Sequence, residues 1–169
     1  MGFFYWLPAQ AEERWVVAVA ELPGLAERDA SGPLLAQLEL LDRQLDGVSL
    51  EVRVVPFARS LLLVRQGQAD LQMPYIGLPQ APAGLRYGRQ PLGQVSFALY
   101  SRRMEPLRRE QLQAVRFADY QALWLVADSA RGAAIEQRFS AALRVLRANG
   151  ELERVAPALL EQEHWQPWP

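Results

Sequence analysis

The sequence contains no cysteine and no lysine, and it has only one histidine, His164. Without cysteine, thiol catalysis and disulfide bonds are excluded, as are zinc sites built from cysteine or from several histidines. No run of about 18 or more apolar residues is present, so no segment is expected to span a membrane. We therefore predict no metal ion, no other cofactor and no membrane insertion. The absence of lysine is most simply a coding bias.

Common enzyme motifs are also missing. The chain has no G-x-S-x-G elbow, no G-x-x-x-x-G-K-[ST] loop and no H-E-x-x-H helix. A Ser-His triad would have to use His164, which begins a tail of Trp and Pro at 164–169. The arginine pairs between residues 102 and 109 lack interleaved aromatic residues, which favours a solvated face over nucleic-acid binding. We predict a protein that is not an enzyme and binds no nucleic acid.

The composition of the 169 residues is that of a globular domain. Half of them are hydrophobic, 22% are charged and the formal net charge is −1, and this length allows one domain with a sizeable core. The first eleven residues, MGFFYWLPAQA, are apolar and end in small residues at the spacing of a signal-peptidase site. We interpret them as the remainder of an export signal, which predicts a periplasmic location. The alternative is an apolar tail that docks on the fold.

Residues 49–75 predict a strand, a helix and a second strand in close succession. Apolar and charged residues alternate over 50–54, which is the spacing of a strand. Residues 57–66 carry apolar residues at helical spacing, with Leu62 expected on the buried face, and Gly67 ends this helix. Such a compact unit predicts a parallel strand pair with a right-handed crossover. Ligands of these sheets bind where strands end and helices begin.

The remaining chain predicts further strands and helices that complete an α/β fold. Strands are predicted at 15–20, 95–100 and 122–127, with helices beginning at Pro33 and covering 110–115, 133–148 and 151–160, and an irregular segment at 77–93. Together these elements predict a mixed five-stranded sheet with helices on both faces.

Short motifs occur along most of the chain in a recognisable order. They are Glu21-Leu22-Pro23, Ser31-Gly32-Pro33, Pro56-x-x-Arg59, Leu63-x-x-x-Gly67-x-x-Asp70, Gln90-Pro91-Leu92 and Phe139-x-x-Ala142-Leu143-x-x-Leu146-x-x-x-Gly150. This order resembles the type II periplasmic solute-binding proteins, in particular extracellular solute-binding family 3, the receptors of amino-acid ABC importers. The resemblance implies a three-layer α/β lobe that binds a small solute. It also implies that the partner of this lobe is an ABC transporter membrane component.

The sequence departs from the family's pattern in two places. The family's carboxylate-binding Arg lies in a Thr-x-x-Arg motif after the position of Asp70, but residues 77–82 here read GLPQAP. This difference argues against binding of an α-amino acid in the family manner. In addition, 102–121 is too short for a second lobe, since one βαβ unit alone needs roughly 30 residues. We therefore predict a single lobe over 12–163, with 102–121 in place of the second lobe.

Candidate ligand-binding residues follow from the predicted sheet edge and from the resemblance. Loops after the first three strands share this edge, and helix N-termini near Pro33 and Phe57 are expected to direct free N–H groups into it. For each candidate a plainer role is open: core packing for an aromatic residue, a surface ion pair or solvated loop for a charged one. The candidates are Glu21, Ser31, Phe57, Arg59, Tyr75 and Arg86.

Two functions follow from these observations, in different classes. The first is a non-catalytic periplasmic protein that binds a small polar or anionic solute for ABC-type uptake or for sensing. The second is a scaffold without a small ligand, in which the surface left by the missing lobe binds a partner or a second copy as a homodimer. A truncated gene product without activity is compatible with the same sequence.

Overall fold

The structure is a computed structural model that describes residues 12–76, 78–95 and 120–156. The expected export signal, most of the strand at 95–100, the helix at 110–115 and the tail lie outside these residues. Six strands and four helices are described. They are β1 (Glu13–Ala20), α1 (Pro33–Gln44), β2 (Val48–Val55), α2 (Phe57–Arg65), β3 (Leu71–Ile76), β4 (Leu85–Tyr87), β5 (Gly93–Val95), β6 (Tyr120–Ala127), α3 (Ala130–Ala148) and α4 (Glu151–Val155).

The strands form one mixed sheet in the order β2-β1-β3-β6-β4, with β5 also paired to β6. β1 runs parallel to both β2 and β3. The two strands of the compact unit, β2 and β3, therefore run in the same direction as predicted, but they do not pair with each other, because β1 lies between them. β6 runs antiparallel to β3, β4 and β5. The carboxyl ends of β1, β2 and β3 therefore meet at one edge of the sheet, which we call the C-terminal edge.

Helices cover both faces of the sheet, which confirms the predicted three-layer α/β fold. One core joins α1, α3 and α4 to the sheet and includes the fully buried Trp15, Trp124 and Phe139. A smaller core lies under α2, where Leu63 and Val64 pack on the opposite face. Alternation along β1 explains the two cores, because its odd-numbered residues point to one face and its even-numbered residues to the other.

The sheet has one more strand than the five predicted. β4, at Leu85–Tyr87, lies inside the segment expected to be irregular. It is only three residues long and is flanked by glycines, so its own pattern is too short to indicate a strand. Its hydrogen bonds to β6, a partner about forty residues later in the chain, define it. No helix of the described residues is long and apolar enough to cross a bilayer.

Candidate functional site

The two candidate aromatic residues lie together at the C-terminal edge. Phe57 begins α2 and Tyr75 lies near the end of β3, and their rings stack with centroids 5.8 Å apart. Tyr87 of β4 extends the group, with its ring centroid 6.1 Å from that of Tyr75. Phe57 is 44% exposed although it is a large apolar residue. The group therefore presents an open aromatic surface where β3 ends and α2 begins.

Sequence reasoning missed Tyr87, whose hydroxyl fixes the loop after β3. The hydroxyl donates to the Gln80 carbonyl, and it accepts a hydrogen bond from the Leu78 N–H, both at 3.2 Å. The alternation of Leu85, Arg86 and Tyr87 was the available signal, because a strand at that position would place the first and third side chains on the same face. These bonds hold the loop against the aromatic group.

The N-termini of the two helices at this edge differ, and only one fits the expectation of free N–H groups. In α1, Pro33 has no N–H, while Leu34 and Leu35 donate to the carbonyls of Leu25 and Gly32. The expectation was therefore wrong for α1, since the preceding loop folds back and supplies the acceptors.

In α2 the first backbone hydrogen bonds are those that the N–H groups of Arg59 and Ser60 donate to the Pro56 carbonyl. The N–H groups of Phe57 and Ala58 have no acceptor among the described residues. Free N–H groups at the start of a helix favour an anionic or otherwise electron-rich partner. The N-terminus of α2, directly beside the aromatic surface, thus keeps the donors that α1 lacks.

Glu21 and Ser31 both lie in the loop between β1 and α1, where each already has a partner. The Glu21 carboxylate accepts from Arg28 Nε at 3.0 Å, and its backbone N–H donates to the Val55 carbonyl. The Ser31 hydroxyl donates to Asp29 at 2.6 Å. These contacts shape the rim of the C-terminal edge, and they match the plainer role expected for a loop acid.

Arg59 and Arg86 are not brought to the aromatic surface. Arg59 lies two residues after Phe57, about 200° around the helix, so the two side chains leave α2 on opposite sides. Arg59 lines a separate cavity of about 400 Å³ with Leu62 and Gln66. Leu62 is 49% exposed there, so its expected place on the buried face was wrong. Arg86 directly precedes Tyr87 in β4, so its side chain lies on the other face of the sheet from the aromatic group.

A network of charges occupies the opposite edge of the sheet. Arg131 of α3 bonds to Asp70 and to Glu13, each at 3.0 Å, and Arg138 bonds to Glu13 at 3.1 Å. Asp70 also accepts the Val16 N–H at 2.9 Å. Its own N–H donates to the Val16 carbonyl, so Asp70 ties the start of β3 to β1.

A cavity of about 320 Å³ opens at this network, and its charged groups are already paired. The indole N–H of Trp15, followed by Arg131 and Arg138, holds the pKa of Glu13 below its ordinary value. Trp15 Nε1 has no hydrogen-bond partner of good geometry among the described residues, so the two ion pairs with Arg131 and Arg138 are the direct contacts of the Glu13 carboxylate. The cavity is thus lined by an ion-pair network that joins α3 to the sheet, and among the described residues no cluster suits a metal ion.

Comparison with known proteins identifies the fold. No protein-family model and no curated protein matches the sequence. Among solved structures, the chain is similar to the probable amino-acid ABC transporter extracellular-binding protein of Bacillus subtilis, with a TM-score of 0.69 and 9% identity over 89% of this chain and 99% of that one. It is also similar to a putative L-cystine ABC transporter protein of Listeria monocytogenes, with a TM-score of 0.64 and 8% identity over 90% and 100%.

A third similar structure is a histidine kinase sensor domain with similarity to periplasmic binding proteins. Its TM-score is 0.70 at 13% identity, over 90% of this chain and 99% of that one. The named functions of these neighbours are binding, transport and sensing, and not catalysis. At such low identity the similarity concerns the fold alone, and it agrees with the strand order and the layers described above. The chain therefore has the fold of the type II periplasmic solute-binding proteins, as the motifs of its sequence predicted.

Proposed function

We propose that the chain is a non-catalytic binding protein that holds a small polar or anionic solute at the C-terminal edge of β1, β2 and β3. The observation that carries this proposal is the exposed ring of Phe57, stacked on Tyr75 beside the N–H groups of Phe57 and Ala58. Solute sites combine an apolar wall with a few polar groups that fix orientation. In this chain the Phe57 ring of the apolar wall and the two free N–H groups both lie at the start of α2.

Uptake or sensing is the role that we propose for this binding. The neighbours named above comprise an amino-acid ABC transporter binding protein, a cystine transporter protein and a kinase sensor domain. An ABC transporter membrane component or a sensor protein would then be the partner, in the periplasm, with residues 1–11 as the export signal. The GLPQAP sequence at 77–82 lacks the family's arginine, so we propose a solute that is not held through an α-carboxylate in the family manner.

We propose further that the chain works as a single lobe over 12–163, in which 102–121 replaces a second lobe. One lobe supplies only half of a cleft and leaves much of the solute in water, whereas ligand sites usually bury most of the ligand surface. Binding is then expected to be weak unless a partner covers the other side. Glu21 and Ser31, at the rim, remain proposed contacts, while Arg59 and Arg86 require a ligand that reaches beyond the aromatic surface.

The test is isothermal titration of wild type, Phe57→Ala and Leu62→Ala with amino acids, dicarboxylates and polyamines. Phe57 and Leu62 are similarly exposed residues of α2, so both variants are expected to fold. Wild type and Leu62→Ala should bind the same solute, and Phe57→Ala should lose about tenfold or more in affinity because part of the apolar wall is removed. Absence of heat with every solute, or equal losses in both variants, would contradict the proposal.

A further inference from the structure

The outer side of β2 is an edge that no described strand covers. β2 is the last strand of the sheet and pairs only with β1 among the described strands. The carbonyls of Gly47 and Val55 point toward β1, where they accept hydrogen bonds from Glu13 and Glu21. Because backbone groups alternate along a strand, the even-numbered residues of β2 direct their N–H and C=O groups outward.

The outward groups of Val52 and Val54 form the open part of this edge. Leu50 also points outward, but its N–H donates to the Asp42 carboxylate of α1 at 2.6 Å. Pro56, which has no N–H, follows the other end of the strand. A row of unpaired backbone groups is a template for another strand, and here it is short and bounded on both sides.

The charges of β2 determine which strand fits this edge. Glu51 and Arg53 lie on the same face, and Arg53 Nε donates to Glu51 at 2.7 Å. In an antiparallel pair of two copies related by a two-fold axis at Val52, Glu51 of each copy lies opposite Arg53 of the other. Opposite charges across strands stabilise a pair and like charges destabilise it. A two-fold axis at Glu51 or at Arg53 would instead place that residue opposite its own copy.

We propose that the outer edge of β2 pairs antiparallel with β2 of a second copy of this chain, centred on Val52. The two Val52 residues exchange N–H···O=C bonds, and Val54 of each copy donates to the Leu50 carbonyl of the other. Asp42 opposes the pairing. In the pair, the Leu50 N–H would donate to the Val54 carbonyl of the second copy, but it already donates to the Asp42 carboxylate. The pairing leaves the C-terminal edge open, so it stands independently of the proposed solute binding.

Sedimentation velocity over a range of concentrations at low salt tests the pairing, since screening weakens exposed charge pairs. Wild type should show a dimer fraction that rises with concentration. Arg53→Glu should weaken the dimer by about tenfold, because two attractive cross-strand pairs become repulsive. The double variant Glu51→Arg with Arg53→Glu should restore it, and Arg65→Glu on α2 should leave it unchanged.

A second variant acts in the opposite direction. Asp42→Ala frees the Leu50 N–H and should strengthen the dimer several-fold, although the fold itself loses a hydrogen bond. Glu39→Ala, an exposed acid of the same helix, is the matched control and should behave as wild type. A wild type that stays monomeric at every concentration would overturn the proposal. The same holds if Arg53→Glu, folded by circular dichroism, associates as wild type does, or if Asp42→Ala weakens the dimer.

Discussion

At the scale of single residues, Glu136 shows how a charged side chain can be fully buried in this protein. It lies in α3, and its carboxylate accepts hydrogen bonds from Arg89 N at 3.0 Å, Arg89 Nε at 2.9 Å and Ser140 Oγ at 2.6 Å. Burial acts to raise the pKa of Glu136, but the bonds from Ser140 and Arg89 outweigh it, so the pKa lies below its ordinary value of 4.5. The charged form is therefore the one that the fold stabilises.

This arrangement predicts the pH dependence of a Glu136→Gln variant. A carboxyl whose folded pKa is lowered contributes stability above its unfolded pKa and loses it as pH falls through the folded pKa. At neutral pH the variant should be less stable by about 1–3 kcal/mol, because it loses charge-assisted hydrogen bonds. The difference should shrink below about pH 4.5, as the wild-type carboxyl takes up a proton.

Chemical denaturation of both proteins at stepwise lower pH measures this difference. Glu153→Gln on the exposed side of α4 is the control, and its free energy of unfolding at neutral pH should match that of wild type. If the difference in free energy of unfolding between wild type and Glu136→Gln did not change with pH, the Glu136 carboxylate would not be stabilised by its partners.

At the scale of elements, residues 88–92 are held firmly against α3 and β6. Gly88 N–H donates to the Trp124 carbonyl, and Trp124 Nε1 donates to the Gln90 carbonyl at 2.8 Å. Arg147 of α3 bonds to the side chain of Gln90 and to the Pro91 carbonyl, and burial lowers the pKa of Arg147. The chain thus enters β5 from a fixed position.

Replacing Arg147 by Met should loosen the contact between residues 88–92 and α3 without unfolding α3. The side chain keeps its apolar stem, but the Pro91 carbonyl loses a charge-assisted donor, which costs about 1–3 kcal/mol. Hydrogen exchange at the Leu92 amide, which donates to Ala122, should become faster than in wild type. Arg144→Met, an exposed residue of the same helix, should leave that exchange unchanged, and equal rates in all three proteins would contradict the role given to Arg147.

Sequence patterns predicted the main elements because they are local. The strand predicted at 15–20 and the helix predicted to begin at Pro33 both lie where expected, since burial repeats with the period of the element. Glu136 could not be foreseen as a buried residue, because its partner Arg89 is 47 positions away. In the same way, both Phe57 and Arg59 were expected at the ligand edge, and only the helix geometry separates them.

At the scale of the whole molecule, the protein is a three-layer lobe, and two borders of its sheet carry the two proposed interactions. The C-terminal edge carries the aromatic surface and the N-terminus of α2, where we propose that a solute binds. The lateral edge, β2, carries the charge pattern that we propose pairs two copies. The two borders are built from different backbone groups, so solute binding and self-association can be measured separately.

The most direct test of the account is amide NMR of the ¹⁵N-labelled protein, titrated with any solute that binds in calorimetry. Binding at the C-terminal edge predicts shifts concentrated at the Phe57 and Ala58 amides, in the loop 21–32 and near Tyr75. The amides of α3 around Arg131, at the opposite edge, should stay unchanged. Shifts centred on Arg131, or no shifts with any solute, would contradict the claim that this lobe binds a solute where β1, β2 and β3 end.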